Sequence, residues 1–131
     1  MMPKQKQVLL LDDNADQLTI RELVLRKAMV ECHVATSAAA ALALLRSAPG
    51  QEKVGAVITD HFMPGMNGVD FVRQVRSFNP DIPVIVISGL PDAEEEYKGL
   101  NVLFRVKPCD PEELIAIVRS ALDSYPYKAS A

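Results

Sequence analysis

The sequence predicts an α/β protein, a doubly wound sandwich in which one parallel sheet lies between layers of helices. Three observations carry this. Short apolar runs recur at Val8–Leu11, Val54–Ile58, Ile82–Ile87 and Val102–Val106, with a weaker one at Cys32–Ala35, and each reads as a strand buried on both faces, as parallel strands are. Stretches with apolar residues at helical spacing separate the runs. Polar residues close the runs: Asp12-Asp13 the first, Asp60 the third, Ser88 the fourth and Lys107 the fifth.

The elements follow in chain order. Ile20, Leu23, Val24 and Ala28 stand at i, i+3, i+4 and i+8 and form the expected core face of the first helix, which Asp13 or Asn14 is placed to cap. Ala38, Ala41, Leu42 and Leu45 repeat the stripe after the second strand. The Pro49–Lys53 stretch reads as a surface loop before the third strand. Phe71, Val72, Val75 and Phe78 give another apolar face. The last helix opens on Asp110 as N-cap, Pro111 at the first helical position and Glu113 as the partner in a capping box; its core face is Leu114, Ile117, Val118, Ala121 and Leu122. Five strand-helix pairs with right-handed crossovers fill one domain over residues 1–131, with a core at about 7–123 and a frayed tail at 124–131.

A chain of 131 residues can bury roughly two thirds of the surface it exposes when unfolded, enough for one core without disulfides. With 49% hydrophobic and 24% charged residues the composition is that of an ordinary globular protein. A net charge of -3 and the absence of a Lys/Arg stripe argue against direct nucleic-acid binding. Cys32 and Cys109 are far apart and lack metal-ligand spacing, so both read as reduced thiols. The polar start, followed by only four apolar residues, fits neither a signal peptide nor a membrane span, and the expected location is the cytoplasm.

Ligands of open parallel sheets bind beyond the carboxyl ends of the strands. Asp12, Asp13, Asp60, Ser88 and Lys107 are therefore expected to converge at one edge. Clustered carboxylates must either protonate or bind a cation. A hard divalent ion such as Mg²⁺, held by carboxylates and completed by water and phosphate oxygens, suits this donor set. Lys107 and Ser88 would hold the remaining oxygens of a phosphoryl group.

These motifs, Asp12-Asp13-Asn14, the run from Asp60 through Gly68, Ser88-Gly89 and Lys107-Pro108, resemble those of the receiver domains of two-component response regulators, and the resemblance spans Val8 to Leu122. It implies a flavodoxin-like sheet of order 2-1-3-4-5 with five helices. It makes Asp60 the residue that accepts phosphate from a histidine kinase or a histidine phosphotransfer protein. Asp13 and Asp60 would ligate Mg²⁺ directly, Asp12 would act mainly through water, and the backbone carbonyl of Phe62 would add a ligand. Lys107 would neutralise phosphoryl oxygens, Ser88 resembles the family's switch hydroxyl, and Phe104 sits where the family has its switch aromatic, although a plain core aromatic is the alternative. Lys107-Pro108 resembles the family's cis X-Pro bond.

Departures from the family pattern matter too. The interval from Ser88 to Lys107 is shorter than in most receivers, so the fourth helix must be short or irregular. The acids of Pro91–Glu96 read as first-turn helix acids, with a docking patch as the alternative. Phe62 and Leu90 occupy positions that influence access of water to the phosphoryl group, and apolar side chains there imply slow self-dephosphorylation. His61 reads as a solvated loop histidine rather than a catalytic base. The expected function is that of a single-domain signalling receiver, not an enzyme, that switches partner binding or relays the phosphate, since no output domain follows Leu122. A pseudo-receiver fits the complete acid, hydroxyl and lysine set less well. A phosphohydrolase would need a DxD motif after the first strand, and a Walker-type nucleotide site would need a Gly-rich loop; both are absent.

Overall fold

The computed structural model describes residues 6–125. Five strands, β1 (Gln7–Leu11), β2 (Cys32–Ala35), β3 (Val54–Asp60), β4 (Val84–Ser88) and β5 (Leu103–Val106), form one parallel sheet of order β2-β1-β3-β4-β5. Helices α1 (Ala15–Lys27), α2 (Ala38–Arg46), α3 (Ala48–Lys53) and α4 (Gly68–Phe78) connect the first four strands, a 3₁₀ segment at Pro91–Tyr97 stands between β4 and β5, and α5 (Pro111–Ser124) follows β5. No helix among the described residues is long and apolar enough to cross a membrane. Most of the expected tail, residues 126–131, lies outside the described part.

The period of two along each strand divides the core. Leu9, Leu11, Val57, Val84 and Val86 pack on one face with α2 and α4, whereas Val8, Leu10, Ile58, Ile85 and Ile87 pack on the other with α1 and α5. The predicted stripe of α2 is buried throughout. In α4 Phe71, Val72 and Val75 are buried and Phe78 partly so, and in α5 Leu114, Val118 and Leu122 form the contact. The fourth connection is irregular, as its length required: seven residues of 3₁₀ helix replace a full α-helix. Arg76 secures the end of α4 to the following chain by donating to the carbonyls of Asn79, Ile82, Leu100 and Asn101.

Three local expectations are corrected. In α1 the buried residues are Leu18, Arg21 and Leu25, while Ile20 and Leu23 are 60% and 55% exposed. Apolar residues occur on more than one side of this helix, and the face turned inward is the one that carries Arg21 to a buried carboxylate. The Pro49–Lys53 stretch is not a surface loop but most of α3, capped by Ser47, whose Oγ accepts the Gly50 N–H at 3.0 Å. Glu113 does not complete a capping box: the Asp110 side chain makes no cap hydrogen bond, and the Glu113 carboxylate is drawn to Arg105 at 3.2 Å.

Gly50 shows how tightly α3 is seated. A Cβ at this buried position would lie 1.8 Å from the carbonyl oxygen of Leu44, which neither backbone can relieve without shifting. Gly50→Ala should therefore lower the unfolding free energy by about 1–3 kcal/mol, read as a reduced urea midpoint at unchanged slope. A variant as stable as the wild type would show that α3 is loosely docked.

Candidate functional site

The carboxyl ends of β1, β3, β4 and β5 bring the predicted residues to one edge of the sheet. Leu11 pairs with Thr59 and Asp60 with Ile87, so the ends of β1, β3 and β4 are nearly level. Asp12 follows β1 and is 1% exposed; Asp13 beside it is exposed. Asn14, not Asp13, caps α1, its Oδ1 accepting the Gln17 N–H at 3.1 Å. Oxygen atoms of Asp12, Asp13 and Asp60 lie within 4.8 Å of one another. Lys107 Nζ stands 3.0 Å from Asp60 Oδ1. The Lys107 N–H donates to the Ser88 carbonyl at 2.7 Å, and the Lys107-Pro108 bond is cis.

Both oxygens of Asp12 are engaged. Oδ1 accepts the Asn14 N–H at 3.0 Å, and Oδ2 pairs with Arg21 Nη1 at 3.2 Å. Burial pushes the Asp12 carboxyl above the usual carboxylate range and repulsion from Asp60 adds to this, while the Asn14 N–H, Arg21 and Lys107 oppose it. The donor set is all oxygen, with no imidazole or thiolate among the three, and three carboxylates so close together fit a hard divalent cation. Asp12, Asp13 and Asp60 are the residues that would hold it.

The remaining predicted residues lie on β4, on β5 and in the loops that follow β3 and β4. Ser88 is buried and its hydroxyl serves its own loop, accepting the Leu90 N–H at 2.9 Å. Phe62 and Leu90 are 75% and 59% exposed and leave two apolar side chains on the surface of the adjoining loops. Phe104 is buried, with its ring 5.8 Å from that of Tyr97.

His61 departs from expectation. It is 7% exposed rather than solvated: Nδ1 lies 2.7 Å from the Tyr97 hydroxyl and Nε2 lies 3.6 Å from Glu96. Gly68 leaves space for this pair, since a Cβ there would lie 2.3 Å from the Tyr97 hydroxyl and 2.8 Å from the Asp60 carbonyl oxygen. The 3₁₀ segment is thus joined to the residue next to Asp60. Arg21, Tyr97 and Glu96 were not legible as site residues. Arg21 did leave a trace, because Leu18, Arg21 and Leu25 also have helical spacing, and a charge in that row calls for a buried partner. Tyr97 left none.

Burial raises the Tyr97 hydroxyl well above the ordinary tyrosine value near 10, and the negative charges of Glu96, Asp60 and Asp70 add to it. A group whose neutral form is favoured by folding contributes stability that is whole below its unfolded value and is lost as pH rises above it. Tyr97→Phe should cost about 1–2 kcal/mol near neutral pH through the unsatisfied His61 nitrogen, and it should reduce the loss of stability that the wild type shows above pH 10. Equal urea midpoints for the two proteins at pH 7 would contradict the role given to this hydrogen bond.

The sequence pattern of the response regulator receiver domain matches residues 8–119. The hydrogenase transcriptional regulatory protein HoxA of Cupriavidus necator is 36% identical over 131 residues, covering 95% of this chain and 26% of that protein. The response regulator protein TodT of Pseudomonas putida is 33% identical over 123 residues, covering 91% of this chain and 52% of that protein. The chain thus spans between a quarter and about half of these two relatives. Among solved structures, a response regulator receiver protein from Pseudomonas putida superposes with a TM-score of 0.79 at 29% identity, covering 91% of this chain and 99% of that one. On the match over residues 8–119, with the five-stranded sheet and the acidic edge it carries, this chain belongs to the response regulator receiver domain family.

Proposed function

We propose that the domain accepts a phosphoryl group on Asp60 from a histidine kinase or a histidine phosphotransfer protein, in a Mg²⁺-dependent reaction, and that phosphorylation switches partner binding or passes the phosphate onward. The observation that carries this reading is the Asp60 carboxylate at the end of β3, held by Lys107 at 3.0 Å inside a cluster of three carboxylates. A carboxylate oxygen of Asp60 attacks phosphorus, and the new O–P bond forms as the N–P bond to the donor imidazole breaks. The bonding pair leaves on the imidazole nitrogen. Such a transfer needs position and charge stabilisation more than further covalent chemistry. Asp13, Asp60 and the Phe62 carbonyl would hold Mg²⁺, with Asp12 acting through water, and the ion would supply part of that charge. Lys107 faces the phosphoryl oxygens, Ser88 is the hydroxyl that meets them on activation, and Phe104 is the switch aromatic.

Exposed Ile20 on α1, which shares a hollow with Lys107 and Pro108, adds apolar surface beside this edge, suited to a protein donor more than to a small metabolite. The proposed unit is a single receiver domain over residues 1–131, cytoplasmic, a signalling switch rather than an enzyme, and without direct contact to nucleic acid. HoxA is named a transcriptional regulatory protein, and that role is proper to a chain of which this one matches about a quarter.

Incubation with Mg²⁺ and acetyl phosphate should add one phosphoryl group by intact mass in the wild type and none in Asp60→Asn. No gain in the wild type would end the phosphoacceptor reading; release of phosphate from many substrates would favour a hydrolase. The phosphorylated form should be long-lived, because neither Phe62 nor Leu90 can hydrogen-bond an attacking water. Polar substitution at these two positions should shorten its half-life. A half-life of seconds, unmoved by such substitutions, would contradict this.

A further inference from the structure

We propose that Arg21 is a resident counter-cation of the acidic site, a positioning residue that fixes Asp12 and restrains metal binding before phosphorylation while favouring the phosphorylated, metal-loaded state. The inference rests on the receiver reading of Asp60 for its second half only.

The geometry is that of an internal ion pair. Arg21 comes from the middle of α1, its side chain 10% exposed, and its Nη1 reaches the 1%-exposed Asp12 carboxylate at 3.2 Å. With the Asn14 N–H on the other oxygen, Asp12 is held by two donors. Each oxygen of Asp12 already accepts from a protein donor and the group is the most buried of the three, so Asp13 and Asp60 are the better placed inner ligands. An arginine is costly to place on the inward face of an amphipathic helix, where its desolvation opposes folding. The neighbours of Arg21 in this row, Leu18 and Leu25, are buried and apolar, so the guanidinium is answered by Asp12 and not by solvent.

Charge decides the consequence. Three carboxylates with Lys107 alone leave two negative charges, the complement of one divalent cation; Arg21 reduces this to one. A bound Mg²⁺ would then leave the unphosphorylated site with an excess positive charge. Conversion of the Asp60 carboxylate to a dianionic acyl phosphate adds one negative charge, and the site becomes neutral. Without Arg21, neutrality falls instead on the metal-loaded, unphosphorylated state. The arginine thus acts with opposite sign on the two steps, disfavouring the cation and favouring the phosphoryl group, through electrostatics in a partly desolvated edge.

The test uses the whole chain at pH 8. Mg²⁺ affinity is measured by isothermal titration calorimetry for wild type, Arg21→Met, Arg21→Gln and Arg21→Lys, with folding checked by circular dichroism. Beryllofluoride, a mimic of the phosphoryl group, is then titrated at saturating Mg²⁺ and followed by fluorine NMR. Arg21→Met and Arg21→Gln should bind Mg²⁺ about fivefold tighter and beryllofluoride about fivefold more weakly, and Arg21→Lys should stay within about twofold of wild type on both. Gln keeps a donor for Asp12 and serves should the Met variant fail to fold. A merely structural arginine would leave both affinities weakened together, and that result, or unchanged Mg²⁺ affinity, overturns the proposal. If the wild type binds Mg²⁺ yet takes neither beryllofluoride nor a phosphoryl group from acetyl phosphate, the receiver reading of Asp60 fails, while the Mg²⁺ comparison still judges Arg21.

Discussion

Three carboxylates brought within 4.8 Å of one another at the end of a buried sheet repel, and two of them, Asp12 and Asp60, lose hydration in being buried there. The rest of the edge is organised around that repulsion. Lys107 pairs with Asp60, Arg21 with Asp12, and the Asn14 N–H with the second Asp12 oxygen. Each compensating group comes from a different element: the chain after β5, the middle of α1, and the turn between β1 and α1. The parallel sheet makes this possible because all five strands deliver their carboxyl ends to the same side. A site of this type is therefore a property of the fold's direction as much as of any one motif. It also explains why the inward face of α1 is not its most apolar one.

The layout of the sheet was legible in the sequence because buried parallel strands must be apolar on both faces, and Val8–Leu11 or Ile82–Ile87 has no other economical reading. The acids, Ser88 and Lys107 were legible as a set because they close those runs. What was not legible depended on contacts between distant segments. The stripe Ile20, Leu23, Val24 satisfies helical periodicity, yet Ile20 and Leu23 face outward, since periodicity ranks hydrophobicity and cannot see that a carboxylate waits beneath Arg21. His61 looked solvated because nothing near it in sequence could receive its ring; Tyr97, 36 residues later, does. Glu113 had the spacing of a capping box, but Arg105 offered its carboxylate a stronger, charged partner. Pro49 and Gly50 suggested a loop, whereas proline is tolerated in the first turn of a helix and Gly50 is required there by the nearness of Leu44.

The contacts around β4 bear on how phosphorylation would be read out. A ligand shifts a conformational equilibrium only through contacts it makes in one state and not the other. The Ser88 O–H donates to the Leu90 carbonyl at 3.4 Å while its oxygen accepts the Leu90 N–H, so donating to a phosphoryl oxygen would exchange a long neutral hydrogen bond for a charge-assisted one, roughly twice as strong. That difference is the free energy available to move the loop. Its reach is bounded on the far side. Tyr97 is tied to His61 and packed on Phe104, and Arg76 holds the carbonyls of Leu100 and Asn101. Between these anchors and Ser88 lie Gly89 to Glu96, of which all but Ala93 are exposed and four are acidic. A short 3₁₀ connection thus confines the change to a small acidic surface, where a full helix would carry the displacement along its length as a rigid body. Under the proposed reaction the shortened segment would limit how far a change at Ser88 travels, and the acidic surface it presents is joined through Tyr97 to His61, the residue after Asp60.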